Sequence, residues 1–534
     1  MTESDASKPP RERAGRYAFL VAAGILSSRI AGLIRDRFIA HYFGLSDVAD
    51  AFRAALRTPN FLQNLFGEGV LSASFIPVYA NLLARKEDEE ARRTASAVAA
   101  LLALTMSVIV LIGVLATPYL IDVIAPGFHG EKRELSIRLV RILFPGVGLL
   151  VMSAWCLGVL NSHRRFFLSY SAGVIWNVAM IATMWIWGGR HTQYDLSIIL
   201  AWGSVAGSAL QVGAQLPIVL RLLGGLRLSL GSRSQNVKII VRNFFPVFVS
   251  RGVVQISAYV DQILSSFLPS GAFAALANAQ TLYLLPVSLF GMSVSAAELP
   301  LMSGAIGSES EIASVLRQRL DEGLRQIAFF VVPSVAAFLF LGNVVVGAIY
   351  QTGRFGAADT TYVWGILAGS TVGLLASTLG RLYSSTYYAL RDTRTPLKFA
   401  ILRVFLTTIL GYVCAIPLPP ALGIAARWGV AGLTISAGLA SWVEFTLLRV
   451  TMNRRIGRTG LPREFLAKLW LAALVGSGAG WGIERFVGHH KPYLVGVLVL
   501  VPYGLVYFGV TSLLGLVEAR TYLGRFIAPL RRRP

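Results

Sequence analysis

Apolar stretches of about 20 residues, each long enough to cross the bilayer core as a helix, recur from end to end of this 534-residue chain. Only 14% of its residues are charged, whereas soluble domains carry about 25%. A membrane β-barrel would instead show weakly alternating segments of about ten residues. The sequence therefore predicts an all-α polytopic membrane protein.

Hydropathy predicts about fourteen transmembrane helices. Their ranges are 17–40, 48–82, 92–118, 135–160, 167–188, 195–222, 238–268, 272–304, 323–348, 360–389, 396–416, 428–451, 464–486 and 492–516. The loops alternate in charge: every second loop holds a basic cluster, such as the one at 85–93, and the loops between, such as HYFGLSD, are poor in Lys and Arg. The positive-inside rule makes the basic loops and both termini cytoplasmic. The net charge of +22 then reflects membrane topology and not nucleic-acid binding.

Short motifs repeat in order at a nearly constant offset of 222 to 225 residues. Ser28-Arg29 recurs as Ser250-Arg251, Leu65-Phe66-Gly67 as Leu289-Phe290-Gly291, and VGLL at 147–150 as VGLL at 372–375. Each repeat holds six helices, an even number, so both copies enter the membrane from the same side and are parallel, with a central cavity expected between them. The predicted organisation is a cytoplasmic tail at 1–16, an N-terminal lobe at 17–225, a C-terminal lobe at 238–451, two further helices at 464–516 and a basic cytoplasmic tail at 517–534.

A polar stripe marks the second predicted helix, in the stretch DAFRAALRTPNFLQNLFGEG. Its members are Asp50, Arg53, Arg57, Asn60, Asn64 and Glu68, with Gln63 beside them. Spacings of three and four residues place the stripe on one helical face. A charge at the bilayer centre costs roughly 2.5–3.5 kcal/mol or more unless it faces water or a partner. The stripe therefore predicts a water-filled cavity with a kink at Pro59, and a helix lying flat on the membrane surface is the alternative.

Further charged residues fall inside predicted spans. They are Arg29, Arg35 and Asp36 in the first helix, Arg251 and Asp261 in the seventh, Glu298 in the eighth, Arg381 in the tenth and Arg403 in the eleventh. Arg35 could instead reach the outer boundary, and Arg251, Arg381 and Arg403 could anchor cytoplasmic helix ends. Glu298 could be a neutral core carboxyl, and Asp261 could simply pair with an arginine. Arginines outnumber carboxylates near the cavity, which predicts an anionic substrate such as a phosphate or diphosphate.

The chain lacks the motifs of common enzyme and metal sites. GxxxxGK[ST], HExxH, GxSxG and Cys/His metal-ligand spacings are all absent from the sequence. Cys156 and Cys414 both lie in apolar spans. We therefore expect no enzymatic activity, no cofactor and no metal site.

Several motifs carry a family resemblance that runs in order through nearly the whole chain. They include SRIAGLIRD (28–36), FGLSDVADAF (43–52), PNFLQNLFGEGVLSASFIPV (59–78), APGF (125–128), LNSHRRFF (160–167), FLPSG (267–271), LPVSLFG (285–291), YQTGRF (350–355) and YYALRDTRTP (387–396). With these motifs the chain resembles the MurJ/MviN family of lipid II flippases, within the multidrug/oligosaccharidyl-lipid/polysaccharide exporter superfamily.

The resemblance implies fourteen helices in two lobes that work by alternating access in the bacterial cytoplasmic (inner) membrane. The cargo it implies is lipid II, an undecaprenyl-diphosphate-linked peptidoglycan precursor carried to the outer leaflet. It also implies a lateral portal and a groove for the lipid tail formed with the last two helices. Membrane lipids and cell-wall synthesis proteins are the other partners that it suggests.

Carried over by position, the resemblance assigns cavity roles to residues of three helices. They are Arg29, Arg35 and Asp36 in the first, Asp50, Arg57 and Glu68 in the second, and Arg381 in the tenth. Gln63 and Thr281 stand where the family commonly has arginines. We expect Arg53 and Arg251 to compensate, giving a cationic set of Arg29, Arg35, Arg53, Arg57, Arg251 and Arg381. The gating or structural set is Asp36, Asp50, Asn60, Gln63, Asn64, Glu68, Asp261 and Glu298.

Three alternatives stay open at this point. The first is a flippase or exporter for another polyprenyl-linked oligosaccharide, which would account for the two missing arginines. The second is a drug or cation antiporter of the same superfamily, although a cation carrier should line its cavity with carboxylates. The third is a non-transporting scaffold of the cell-wall machinery.

Overall fold

A computed structural model describes residues 10–226, 234–257, 259–488 and 490–522 of the chain. These residues form helices and, apart from an isolated bridge between Thr352 and Phe355, no β-structure. The helices are α1 (Pro10–Phe43), α2 (Asp47–Phe66), α3 (Glu68–Ser74), α4 (Ile76–Ala84), α5 (Asp88–Leu115), α6 (Thr117–Ile124), α7 (Gly130–Ser162), α8 (Phe166–Trp187), α9 (Gln193–Leu223), α10 (Gln235–Ser257), α11 (Val260–Ser266), α12 (Ala272–Pro286), α13 (Ser293–Ser303), α14 (Glu309–Phe340), α15 (Gly342–Tyr350), α16 (Ala357–Ala389), α17 (Arg394–Ala415), α18 (Leu418–Ala421), α19 (Gly429–Ile456), α20 (Arg463–Val487) and α21 (Pro492–Leu513). The predicted all-α class is confirmed. Parts of the two predicted tails, 1–9 and 523–534, lie outside the described residues.

Helices occupy every one of the fourteen predicted ranges. In the described part of the chain, eleven helical segments are long and apolar enough to cross a membrane. The predicted ranges that do not qualify are the first, second and seventh. A count of fourteen spans therefore stays a prediction.

The second predicted helix, 48–82, is interrupted twice and forms α2, α3 and α4. Helical backbone continues through Pro59, so the first interruption lies further along the chain than the predicted kink, at Gly67. A side chain there would clash, because a Cβ on Gly67 would lie 2.2 Å from the carbonyl oxygen of Gln63. Glycine is thus required by close backbone approach at the point where α2 ends.

Local capping explains why the ninth predicted helix begins earlier than hydropathy suggests. Ser308 and Glu311 form a reciprocal capping box: the Ser308 side chain accepts from the Glu311 amide, and the Glu311 carboxylate accepts from the Ser308 amide at 2.8 Å. The resulting α14 starts at Glu309 with a polar first turn and becomes apolar later. Hydropathy detects only the apolar part.

The chain divides into two compact units, Met1–Phe267 and Leu268–Pro534. In the first unit, α7 packs against α2, α5 and α9, and Trp155 of α7 is fully buried in a core with Phe75 and Tyr79. In the second unit, α16 packs against α12, α14 and α19, while α20 and α21 pack on α14 and α15. The seventh predicted helix belongs to the first unit, and the division into two six-helix lobes plus two further helices stays a prediction.

Candidate functional site

A charge cluster in the first unit joins α1 to α2 through one carboxylate. Oδ1 of Asp36 accepts hydrogen bonds from Nε of Arg35 at 3.2 Å, from Nη2 of Arg35 at 3.0 Å and from Nη1 of Arg53 at 3.1 Å. Asp36 is only 3% exposed. Two guanidinium groups thus share one buried carboxylate, which leaves the cluster with one excess positive charge.

Arg35 is held from a second side by α8. Its Nη1 donates to Oδ1 of Asn177 at 3.0 Å, and its guanidinium lies 5.0 Å from the ring centroid of Trp176. Such a cation–π contact adds to the ion pair and fixes the plane of the guanidinium. Arg35 is therefore held by partners within the first unit, and its position relative to the membrane boundary stays a prediction.

Asp50 has a partner that the sequence pattern did not indicate. Nζ of Lys132, at the start of α7, donates to Oδ2 of Asp50 at 2.6 Å and lies 3.0 Å from Oδ1 of Asp47. The same ammonium lies 4.3 Å from the ring centroid of Phe128. Asp50 is only 1% exposed, and a buried carboxylate without a cationic partner is strongly disfavoured. The Lys132 ammonium compensates its negative charge. Lys132 precedes the predicted span 135–160, and helical periodicity gives no signal for it.

Arg57 links α2 to α11 through Tyr259. The guanidinium of Arg57 lies 5.2 Å from the Tyr259 ring centroid, and the Tyr259 hydroxyl donates to the Arg57 carbonyl oxygen at 2.9 Å. The ring of Phe61 packs edge-on against Tyr259 at 5.4 Å between centroids. Asp261 is close enough to attract the Arg57 charge. Tyr259 was not among the predicted site residues.

The polar stripe therefore does not present a uniform face. Asp50 is buried and Asn64 is exposed, and the members between them are half-buried: Arg53, Arg57, Asn60 and Gln63. Arg29 of α1 is exposed as well. The side chains of Glu68 and Arg251 lie outside the described part of the structure, so their predicted roles are not tested.

The predicted residues of the second unit fall at two places. Glu298 on α13 is half-buried, and its Oε2 is a buried atom with no hydrogen-bond partner among the described residues. Arg381 on α16 is exposed and lies within electrostatic reach of Tyr283 and Glu444.

Arg403 and Thr281 of the second unit also have partners within the unit. Arg403 pairs with Glu444 of α19 at 3.2 Å. Thr281, at the position where the family commonly has arginine, donates its hydroxyl to the carbonyl oxygen of Ala277 on its own helix at 3.0 Å.

These contacts indicate which kind of ligand the first unit could bind. The first unit gathers arginines whose donor groups are oriented by carboxylates and aromatic rings, an arrangement suited to phosphate oxygens. In the part of the chain that the structure describes, no group of three or more His, Cys, Asp or Glu side chains is placed to hold a metal ion. The assignment of individual residues to substrate binding or gating stays a prediction.

The chain matches known proteins along most of its length. A family model described as lipid II flippase MurJ matches residues 39–503. The lipid II flippase MurJ of Burkholderia cenocepacia is 30% identical over 471 residues, covering 86% of this chain and 88% of that protein. A probable lipid II flippase MurJ of Rhizobium tropici is 30% identical over 523 residues, covering 93% and 94%.

Solved structures share the fold. One of a lipid II flippase MurJ in an inward closed conformation superposes with a TM-score of 0.74 at 23% identity, covering 96% of this chain and all of that one. An inward-facing multidrug resistance MATE family transporter of the MOP superfamily gives a TM-score of 0.64 at 16% identity, covering 80% of this chain and 95% of that one. Together with the family model and the two relatives, the fold leads to one conclusion: the chain belongs to the MurJ family of lipid II flippases.

Proposed function

We propose that this chain translocates lipid II, the undecaprenyl-diphosphate-linked peptidoglycan precursor, from the inner to the outer leaflet of the cytoplasmic membrane for cell-wall biosynthesis. The observation that carries the proposal is the family match over residues 39–503. The protein is a multi-pass protein of the bacterial inner membrane. It acts as a transporter by alternating access and not as an enzyme, with both termini in the cytoplasm and with cell-wall synthesis proteins as partners.

The cluster of Arg35, Asp36 and Arg53 supports recognition of the diphosphate. In the absence of substrate, Asp36 compensates two half-buried guanidinium groups that would otherwise be costly. Arginine forks bind phosphate oxygens through paired N–H donors, so an arriving diphosphate meets donors that are already oriented. The excess positive charge of the cluster favours an anion over a cation. This charge balance argues against a drug or cation antiporter.

Arg53 also bears on the two departures from the family pattern. Gln63 and Thr281 bring no positive charge, and the Thr281 hydroxyl is already bonded to its own helix. Arg53 adds a guanidinium directly beside Arg35 through their shared contact with Asp36. We infer that this added charge replaces part of what the substitutions remove. Another polyprenyl-diphosphate oligosaccharide is the second candidate cargo, since changed arginine positions would suit a changed headgroup.

Depletion complementation tests the proposed function. The wild-type chain should restore growth to a bacterium depleted of its own lipid II flippase, and Arg29→Ala should not. Arg190→Ala removes another exposed arginine, outside the candidate site, and serves as the matched control, so it should restore growth. Immunoblots of membrane fractions must show equal amounts of all three proteins. Wild-type protein that reaches the membrane and fails to support growth would rule out lipid II as the cargo.

A further inference from the structure

A groove outside the candidate transport site opens between α7 and α9 on the surface of the first unit. It is open to the surface and has a volume of about 550 Å³, within the range of about 300–1,000 Å³ typical of small-molecule sites. The residues that matter for its chemistry are Glu134, Arg138, Arg141 and Ile142 of α7 with Ile198 and Trp202 of α9. The wall is thus apolar, with charged side chains along one edge.

The two arginines of the groove are not engaged by the protein. Arg138 and Arg141 lie one helical turn apart and are exposed, and no ion pair or hydrogen bond joins either guanidinium to another described residue. Arg133 on the same helix shows the contrast, since it pairs with Asp122 at 2.7 and 2.9 Å. With Glu134 as a third charge, the groove carries one net positive charge.

An apolar stripe continues from the groove along α9. Its exposed positions are Trp202, Ala206, Ala209, Leu210, Gly213 and Pro217. Spacings of three and four residues place them on one face, and none is charged. Trp202 is 57% exposed and Leu210 is 59% exposed. A ligand that fits both parts has an anionic head and a long apolar chain.

We propose that this groove binds an anionic phospholipid of the bilayer. Arg138 and Arg141 hold the phosphate through paired N–H donors, Trp202 lies at the level of the glycerol backbone where tryptophan is enriched, and an acyl chain follows the α9 stripe. A phosphodiester carries one negative charge, which matches the net charge of the groove better than a diphosphate does. With cytoplasmic termini, this end of α7 and α9 lies in the outer leaflet.

Lipid binding to the full-length protein tests the proposal. Native mass spectrometry of purified protein titrated with phosphatidylglycerol measures the affinity directly. Each of Arg138→Gln and Arg141→Gln should weaken binding about fivefold, and the double variant about 25-fold, as expected for basic groups near a phosphate surface. Arg190→Gln removes an exposed arginine outside the groove and should bind like the wild type. This readout needs no lipid II, so it is independent of whether the transport proposal holds.

Three results would overturn the proposal. The first is a double variant that binds phosphatidylglycerol as tightly as the wild type. The second is equal affinity for zwitterionic phosphatidylcholine, which would show that the arginines do not select the head. The third is displacement of phosphatidylglycerol by soluble glycerol 3-phosphate, which would indicate a site for free anions. The single variants keep the test valid if the double variant does not fold.

Discussion

Asp36 links the charges of α1 and α2, because one carboxylate oxygen serves both Arg35 and Arg53. Isolated charges are strongly disfavoured in a low-dielectric interior, whereas pairs with good hydrogen-bond geometry are tolerated. The shared carboxylate therefore lets two guanidinium groups stay in place until an anion arrives. It also means that a change at Asp36 affects both arginines at once.

Asp36→Asn should lower the free energy of unfolding in detergent by about 3–5 kcal/mol, as found when one member of a buried ion pair is removed. Asn keeps the size and an acceptor oxygen, so the loss reports on charge and not on packing. Asp122→Asn is the matched control, because it removes the carboxylate of the exposed pair with Arg133 and should change stability little. Equal unfolding midpoints for the two variants would show that the charge of Asp36 does not stabilise the fold more than an exposed carboxylate does.

The charged stripe could be predicted from sequence at residue scale, but its partners could not. Helical spacing places Asp50, Arg53 and Arg57 together because periodicity is a property of one helix. Lys132 comes from α7 and Tyr259 from the residue before α11, so only tertiary packing brings them near α2. Each of the three charged side chains therefore has its own protein partners, although the sequence predicts that all three line one cavity.

At the scale of elements, the proline within α14 leaves one backbone carbonyl without its helical donor, and a side chain of another helix donates to it instead. Pro333 has no N–H, so the carbonyl of Phe329 one turn earlier lacks its usual helical donor. The hydroxyl of Tyr507 on α21 donates to that carbonyl at 2.6 Å. Tyr503, one turn earlier on α21, donates to the carbonyl of Pro333 itself at 2.6 Å. These bonds join α21 to α14.

Tyr507→Phe should cost about 1 kcal/mol of unfolding free energy in the wild-type background, since it leaves the Phe329 carbonyl unsatisfied. In a Pro333→Ala background the new backbone N–H supplies the missing donor, so the same substitution should cost much less. Tyr503→Phe is the control. Its acceptor is the backbone carbonyl of residue 333, which is present with proline or with alanine, so its cost should be the same in both backgrounds. A double-mutant cycle in detergent measures the difference. Zero coupling between Pro333 and Tyr507 would contradict the mechanism.

Helix ranges were largely predictable from sequence, and helix interruptions were not. Long apolar segments dominate hydropathy, which is why all fourteen ranges hold helices. The break at Gly67 depends on a close approach to the Gln63 carbonyl, and hydropathy carries no information about backbone approach.

At the scale of the whole molecule, the seventh predicted helix decides the membrane topology. The structure forms α10 and α11 over this range, and neither is among the eleven segments that qualify as spans by length and composition within the described residues. Loop charges predict that it crosses nonetheless, because the basic clusters all fall on the cytoplasmic side only if every predicted helix spans. Labelling from one side of the membrane measures the sidedness of these loops directly.

Three single-cysteine variants in a Cys156→Ala, Cys414→Ala background should settle the crossing. Gly189→Cys and Gly356→Cys lie in exposed loops where a Cβ meets nothing within 4 Å, and Ile306→Cys replaces a residue that is 96% exposed. If the sixth to ninth predicted helices all cross, a membrane-impermeant maleimide labels positions 189 and 356 in spheroplasts, and labels position 306 only after permeabilisation. If the seventh helix does not cross, positions 189 and 306 label together and position 356 is protected. Permeabilised cells provide the control, since all three cysteines should then react equally.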